Sequence, residues 1–159
     1  DAIFFTHTHA DHCHGFDDIR QLSFSCPDKK PIPCYAQKKH IEEIKARFDY
    51  AFYNSGYHGV RPHIEMLPLN EPSFEVDGTK IEWASFPHGH TTSSGFLIGS
   101  FAYVTDFQAF PDETLHRWKG KISLMIASGL RYKEHPSHST IKNTCHIFEK
   151  LGVKKGILT

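Results

Sequence analysis

The chain has 159 residues, long enough to bury a core, and its 18 basic and 18 acidic side chains cancel to zero formal net charge. That balance argues against a protein that grips nucleic acid by bulk charge, and no apolar run is long enough for a transmembrane helix. Four irregularly spaced cysteines (Cys13, Cys26, Cys34, Cys145) form no Cys-x-x-Cys pair, which argues against a disulfide framework or a cysteine-based zinc knuckle.

Residues 2–5 (Ala-Ile-Phe-Phe) read as a buried strand, and residues 15–20 read as a helix start. Between them, His7, His9, Asp11 and His12 place three imidazoles and one carboxylate within six consecutive positions. His7 and His9 alternate at the strand end and point the same way. Asp11 and His12 follow on the next turn, within reach of a second ion beside the first. Neutral imidazole and carboxylate suit Zn²⁺, Mn²⁺ or Fe²⁺, and a site with no cysteine ligand stays open for hydrolytic chemistry. A polar loop with chance histidines is the plainer explanation. Strand, spacing and residue types together favour the metal. Cys13 reads as a small side chain packed behind the loop, and a thiol there suits a reducing compartment, hence the cytoplasm. The strand leads at once into the motif, which is not the pattern of a signal peptide.

Further along, residues 17–22 continue a short helix, and residues 25–30 read as a polar loop with Pro27. Residues 33–36 are a short strand. Residues 38–48 read as a helix, with Ile41, Ile44 and Phe48 on one face. Residues 50–61 read as an irregular aromatic loop, and residues 63–67 and 74–76 as short strands. Asp77-Gly78 signals a hairpin into a partner strand at 80–86. A second hairpin joins 95–98 and 101–105 across Gly99-Ser100. Residues 111–118 read as a short helix with Pro111 in its first turn. Residues 122–127 read as a buried strand. Ser139 or Thr140 caps a helix whose core face is Ile141, Cys145, Phe148 and Leu151. A last strand starts at residues 156–158. There is no internal repeat or low-complexity linker, so one domain over residues 1–159 with a layered α/β arrangement is expected.

Two more segments carry donors. Phe86-Pro87-His88-Gly89-His90 follows a predicted strand, and Tyr103-Val104-Thr105-Asp106 is a hydrophobic strand ending in a carboxylate. Alone, Asp106 reads as a turn or N-cap residue; three such motifs in order, each at a strand end, favour a ligand.

At His7, His9, Asp11 and His12 the chain resembles the metallo-β-lactamase superfamily, whose signature is HxHxDH after a β-strand. The resemblance implies an αββα sandwich, here partial, with two divalent metal ions (Zn²⁺ or Mn²⁺, with Fe²⁺ acceptable) at one edge between two sheets. It implies that a histidine after a strand completes the first ion's set. His88 and His90 compete for this role; His88 is preferred because it directly ends the strand and its His-Gly step resembles one branch of the family, and His90 then faces substrate or supports the ligands. It implies that Asp106 bridges the ions. Family members carry several strands before the first motif and a last metal histidine after a C-terminal strand, typically just after a threonine. The chain stops at Thr159, so these residues are expected to be an internal part of a longer domain that lacks that final histidine.

Several segments resemble the branch containing the phosphonate-pathway cyclic-phosphate phosphodiesterase: HADHCHGFDDIR at 9–20, ARFDYAF at 46–52, GFLIG at 95–99, YVTD at 103–106, LRY at 130–132 and HPSH at 135–138. Relatives of that branch include the tRNA 3′-processing nucleases. Ser128-Gly129-Leu130-Arg131 departs from the Asp-Ala-Leu-Arg usual in close relatives, which alters hydrogen bonding behind the site. The resemblance implies a metal-dependent phosphodiesterase acting on a small or cyclic phosphodiester through a metal-activated hydroxide, oriented by Asp11 and Asp106. His138 is the candidate acid for the leaving group; Arg131 and His135 are candidate phosphate contacts. For these three, polar residues on a surface loop are the plain alternative. Another hydrolase of the superfamily (a thioester hydrolase or a lactamase), a tRNA-processing nuclease, or a non-catalytic metal-binding module stand as alternatives. A nucleic-acid substrate is disfavoured because no basic arm is visible. No membrane partner is expected, and a homodimer is compatible with the chain.

Overall fold

The computed structural model describes residues 1–25, 30–52, 59 and 61–159, which fall into two compact units, Asp1–Asn70 and Glu71–Thr159. In the first unit, β1 (Ile3–Phe4), β2 (Ile32–Ala36) and β3 (Ile64–Pro68) form a parallel sheet in that order, with Ile3 opposite Cys34 and Cys34 opposite Met66. Parallel neighbours need long crossovers. The first carries α1 (Ala10–Cys13), a 3-10 segment (His14–Asp18) and α2 (Ile19–Ser25); the second carries α3 (Lys38–Arg47) and α4 (Asp49–Phe52).

The core of this unit joins Phe5, Phe16, Ile19, Cys34, Ala36, Ile41, Ile44 and Phe48. Phe48 stacks on Phe16 with ring centroids 4.6 Å apart. Phe48 caps α3 rather than continuing it, yet it keeps the buried face that the Ile41–Ile44 spacing indicated. The loop expected over residues 50–61 opens instead with a helical turn, α4. Its remainder at 53–58 and 60, the 26–29 part of the other expected loop, and Cys26 lie outside the described residues.

The second unit is a six-stranded sheet in sequence order: β4 (Ser73–Val76), β5 (Thr79–His88), β6 (Thr91–Ile98), β7 (Phe101–Val104), β8 (Leu124–Ala127) and β9 (Lys155–Leu158). Pairing is antiparallel from β4 to β7 and parallel from β7 to β9. Crossovers α5 (Asp112–Trp118) and α6 (Ile141–Leu151) make the parallel pairings. Asp77 and Gly78 both take left-handed backbone (φ 48° and 75°) between Val76 and its partner Thr79, the geometry a two-residue hairpin requires. Phe86, Val104, Phe107, Phe110, Trp118, Met125, Ile147 and Leu151 form the core.

The second unit departs from the sequence reading at β5, α5, β8 and α6. β5 extends through Pro87 to His88 and pairs with Thr91–Ser94, residues whose polarity conceals a strand. Pro87 lacks an N–H, but its carbonyl still accepts from the Gln108 backbone at 2.8 Å. Pro111 sits at the N-cap of α5 rather than inside it, and β8 starts at Leu124, although Ile122 is buried ahead of it. On α6 the buried face is Thr144, Ile147 and Leu151, whereas Cys145 is exposed. The face is offset because the Thr144 hydroxyl has a buried partner, the Ser128 carbonyl. Thr140, not Ser139, caps α6, its hydroxyl accepting the Asn143 N–H at 3.1 Å. Among the described residues no helix is long and apolar enough to cross a membrane.

Candidate metal centre

Donors gather at one place in each unit. In the first, the Phe5 N–H donates to Tyr35, so the chain leaves the sheet only after Phe5. Thr6, His7 and Thr8 are buried; His9 is exposed and becomes the N-cap of α1, its carbonyl accepting from the His12 N–H at 3.0 Å. This turn folds His12 back over His7. The His7 ring lies 4.6 Å from His9 and 4.4 Å from His12, centroid to centroid. His12 Nε2 lies 3.4 Å from the carboxylate of Asp11, whose side chain is otherwise open to solvent.

α3 braces the loop. The Thr8 hydroxyl donates to the Glu43 carboxylate. Arg47 Nη1 donates to the Thr8 carbonyl at 2.6 Å and lies 3.0 Å from Cys13 Sγ. Cys13, packed behind the loop, donates weakly to the same carbonyl at 3.4 Å. One turn earlier on α3, His40 is fully buried. Its ring is held neutral, with a pKa pushed down to about 4, chiefly by burial and then by Lys39, with Glu43 opposing and His9 adding a little. Beside His12, an apolar recess is lined by Ile3, Phe5, Cys13, Phe16 and Ile19.

In the second unit the alternation along β5 buries Ala84, Phe86 and His88 and leaves Ser85 and Pro87 exposed. His88 Nδ1 is 2.8 Å from the Ser137 carbonyl. A carbonyl only accepts, so the proton is on Nδ1 and the lone pair is on Nε2, the tautomer a ligand needs. Asp106 follows β7 with φ 50°, a left-handed conformation unusual for a residue with a Cβ. Its carboxylate lies 3.2 Å from His138 Nδ1, and the His138 ring packs edge-on to His88 at 4.8 Å. Donor atoms of His88, Asp106 and His138 all lie within 4.8 Å of one another. Burial lowers the His138 pKa; Asp106 opposes this, and His88, His135 and Arg131 reinforce it.

Of the other residues picked out from the sequence, His135 packs against His138 at 5.2 Å, and its Nδ1 accepts from the Ser137 N–H at 3.3 Å. Arg131 is exposed; its carbonyl accepts from Ile141, which ties its loop to the start of α6. His90 sits exposed on the two-residue turn between His88 and Thr91, outside the cluster formed by His88, Asp106 and His138. The sequence reading gave no role at the site to Glu43, Arg47, Ser137, Thr144 or Ser139. Only the four-residue spacing of Glu43 and Arg47 on a predicted helix could have drawn attention to that pair.

The donor chemistry fits divalent ions of the zinc and manganese class. Imidazoles, one in a defined ligand tautomer, stand beside carboxylates, and among the described residues no thiolate joins them.

A family model described as a beta-lactamase superfamily domain matches residues 1–159. The chain is 36% identical to a protein whose crystal structure is that of a new diphosphatase from the PhnP family, with a TM-score of 0.86 over 100% of this chain and 59% of that one. It also superposes on the metallo-β-lactamase fold protein YhfI from Bacillus subtilis, with a TM-score of 0.71 at 20% identity over 100% of this chain and 64% of that one, a likeness of fold alone. An octanoyltransferase of Porphyromonas gingivalis (strain ATCC BAA-308 / W83) is 30% identical over 160 residues, covering 99% of this chain and 31% of the relative. The chain thus spans about a third of that curated relative and under two thirds of the diphosphatase. Its two sheets with their helices match the metallo-β-lactamase fold of these neighbours.

Proposed function

We propose that this chain, which belongs to the beta-lactamase superfamily, forms the hydrolytic part of a metal-dependent phosphodiesterase for a small or cyclic phosphodiester. The observation that carries this reading is the convergence of buried His88, the Asp106 carboxylate and His138, with His138 Nδ1 3.2 Å from Asp106. The likeness to a PhnP-family diphosphatase supports phosphorus chemistry.

In this reading His7, His9, Asp11, His12, His88 and Asp106 are the ligands for two divalent ions, Zn²⁺ or Mn²⁺, with Fe²⁺ as a further choice. When bound, such ions lower the pKa of water and offset negative charge on phosphoryl oxygens. Asp11 and Asp106 orient the attacking water through their carboxylates. His138 donates a proton to the leaving oxygen. Burial favours its neutral form, and an arriving phosphodiester anion raises its pKa toward the protonated form the step needs. Exposed Arg131 and half-buried His135 contact the phosphate, and exposed His90 faces the substrate. A thiol packed behind the metal loop, Cys13, suits a reducing compartment such as the cytoplasm.

A second reading is thioester hydrolysis, favoured by the octanoyl chemistry in the name of one relative. Elemental analysis of protein purified without added metal, followed by turnover of bis(p-nitrophenyl) phosphate, an octanoyl thioester and nitrocefin, separates the two. The phosphodiesterase reading expects about two ions per chain, lost in the His7→Ala, His9→Ala double variant, and cleavage of the phosphodiester. Thioester cleavage without phosphodiester cleavage overturns it, and absence of metal overturns both.

A further inference from the structure

The left-handed backbone at Asp106 needs something to hold it, because a residue with a Cβ is disfavoured there even though aspartate tolerates it best. The structure supplies a polar brace. The Asp106 N–H donates to the Ser128 hydroxyl at 3.0 Å. Ser128 is buried just past the end of β8, and its own N–H donates to the Val104 carbonyl at 3.1 Å, anchoring it to the strand that leads to Asp106. The Ser128 carbonyl accepts from the Thr144 hydroxyl on α6 at 2.8 Å, and that hydroxyl lies 2.9 Å from the Ser139 hydroxyl.

Ser139 directly follows His138. Its N–H donates to the carbonyl of Phe107, the residue after Asp106, at 2.6 Å, and its hydroxyl accepts from Asn143 Nδ2 at 2.9 Å. Ser128, Thr144 and Ser139 are all buried, so these bonds face little competition from water. Hydrogen bonds therefore run from the backbone of Asp106 to the Ser128 hydroxyl, and from the Ser128 carbonyl through Thr144 to Ser139, the residue beside His138. The side chains of Asp106 and His138 meet at 3.2 Å.

We infer that Ser128 is a positioning residue: held in place by its backbone bonds to Val104 and Thr144, its hydroxyl fixes the backbone of Asp106 and sets the carboxylate's approach to its ion and to His138. The unusual serine is then an acceptor suited to its place rather than a defect. This inference rests on the reading of Asp106 as a metal ligand. Ser128→Ala removes this acceptor for the Asp106 N–H; Ser128→Thr keeps a hydroxyl.

The test is Zn²⁺ affinity of the metal-free full chain, measured by competition with a fluorescent chelator, with thermal unfolding recorded alongside. Ser128→Ala is expected to weaken Zn²⁺ binding at one site by about 10- to 100-fold, as loss of a partner behind a ligand typically does. Ser128→Thr is expected to keep most of the affinity. Ile147→Val, a core change on the same helix as Thr144, is expected to lower the Tm and leave the affinity alone. Parent affinity in Ser128→Ala, or a loss no greater than in Ile147→Val at equal Tm, overturns the inference. Asp106→Asn separates the two claims. If it binds Zn²⁺ as the parent does, the ligand reading fails and this inference with it. If it binds weakly while Ser128→Ala binds normally, only the role of Ser128 fails.

Discussion

Arg47 Nη1 meets the Thr8 carbonyl at 2.6 Å across 39 residues of chain. That single bond links α3 to the peptide between His7 and His9, and the contact from the same nitrogen to Cys13 Sγ reaches the far side of the motif. A histidine-rich loop is thereby given one shape before any ion arrives. Arg47→Ala should loosen it. The charged donor is largely solvent-exposed, so the stability loss should be small, about 1 kcal/mol. The loss of Zn²⁺ affinity should be larger, about 10-fold. Titration with a chelator and a denaturant melt together check this; an unchanged affinity with a lowered Tm would show the bond to be structural only.

His40 makes stability depend on pH. Its folded pKa, about 4, lies below the ordinary 6.5, so between those values the unfolded chain binds the extra proton. The native state holds its full stability above pH 6.5 and loses it as pH falls toward 4. The gap is worth about 3 kcal/mol. Urea unfolding across that range should show the slope, and His40→Leu should flatten it. An equal slope in the variant would assign the effect to other groups.

Gly95 lies on β6 between the strands that end at His88 and Val104. A Cβ placed there would come within 2.5 Å of Phe86 Cε2 and 2.8 Å of Val104 Cγ2. Gly95→Ala should destabilise the protein by about 1–3 kcal/mol through overpacking. Because Phe86 sits two residues before His88 and Val104 two before Asp106, metal affinity should fall as well. Denaturant melts and metal titration of this variant report the two effects separately.

His138 as an acid makes a leaving-group prediction. His138→Ala should slow cleavage of a phosphodiester with an alkoxide leaving group by about 10²–10⁴-fold. Release of p-nitrophenolate, which needs no proton, should change far less. Equal losses on both substrates would point to a role for His138 in binding rather than in proton transfer.

Metal removal should act on folding as well as on turnover. Dialysis against a chelator should abolish hydrolysis, with recovery on adding Zn²⁺ or Mn²⁺. It should also lower the unfolding free energy by roughly 2.7 kcal/mol relative to protein held at a hundred times the Kd for the ion. A Tm indifferent to chelation would mean the donors do not hold an ion in the folded protein.

Much of this could be read from local pattern. The Ile41–Ile44–Phe48 spacing, the Asp77-Gly78 turn and the apolar run before His7 each report a local conformational preference, and a dense local motif such as His7–His12 carries its chemistry in adjacent residues. The amino-acid sequence alone therefore determined the order of elements, the first group of candidate donors and the family likeness. Tertiary structure decided what depends on distant partners. β5 reaches His88 because Thr91–Ser94 pairs with it, which hydrophobic patterning cannot register in so polar a segment. α6 turns Thr144 rather than Cys145 inward because a carbonyl 16 residues away awaits its hydroxyl. Ser128 stands out in one dimension only as a missing carboxylate. Its role as the acceptor for the backbone of Asp106 exists only once β7 and β8 lie side by side, because hydrogen bonds between remote residues are made by the fold and leave no periodic trace in the chain.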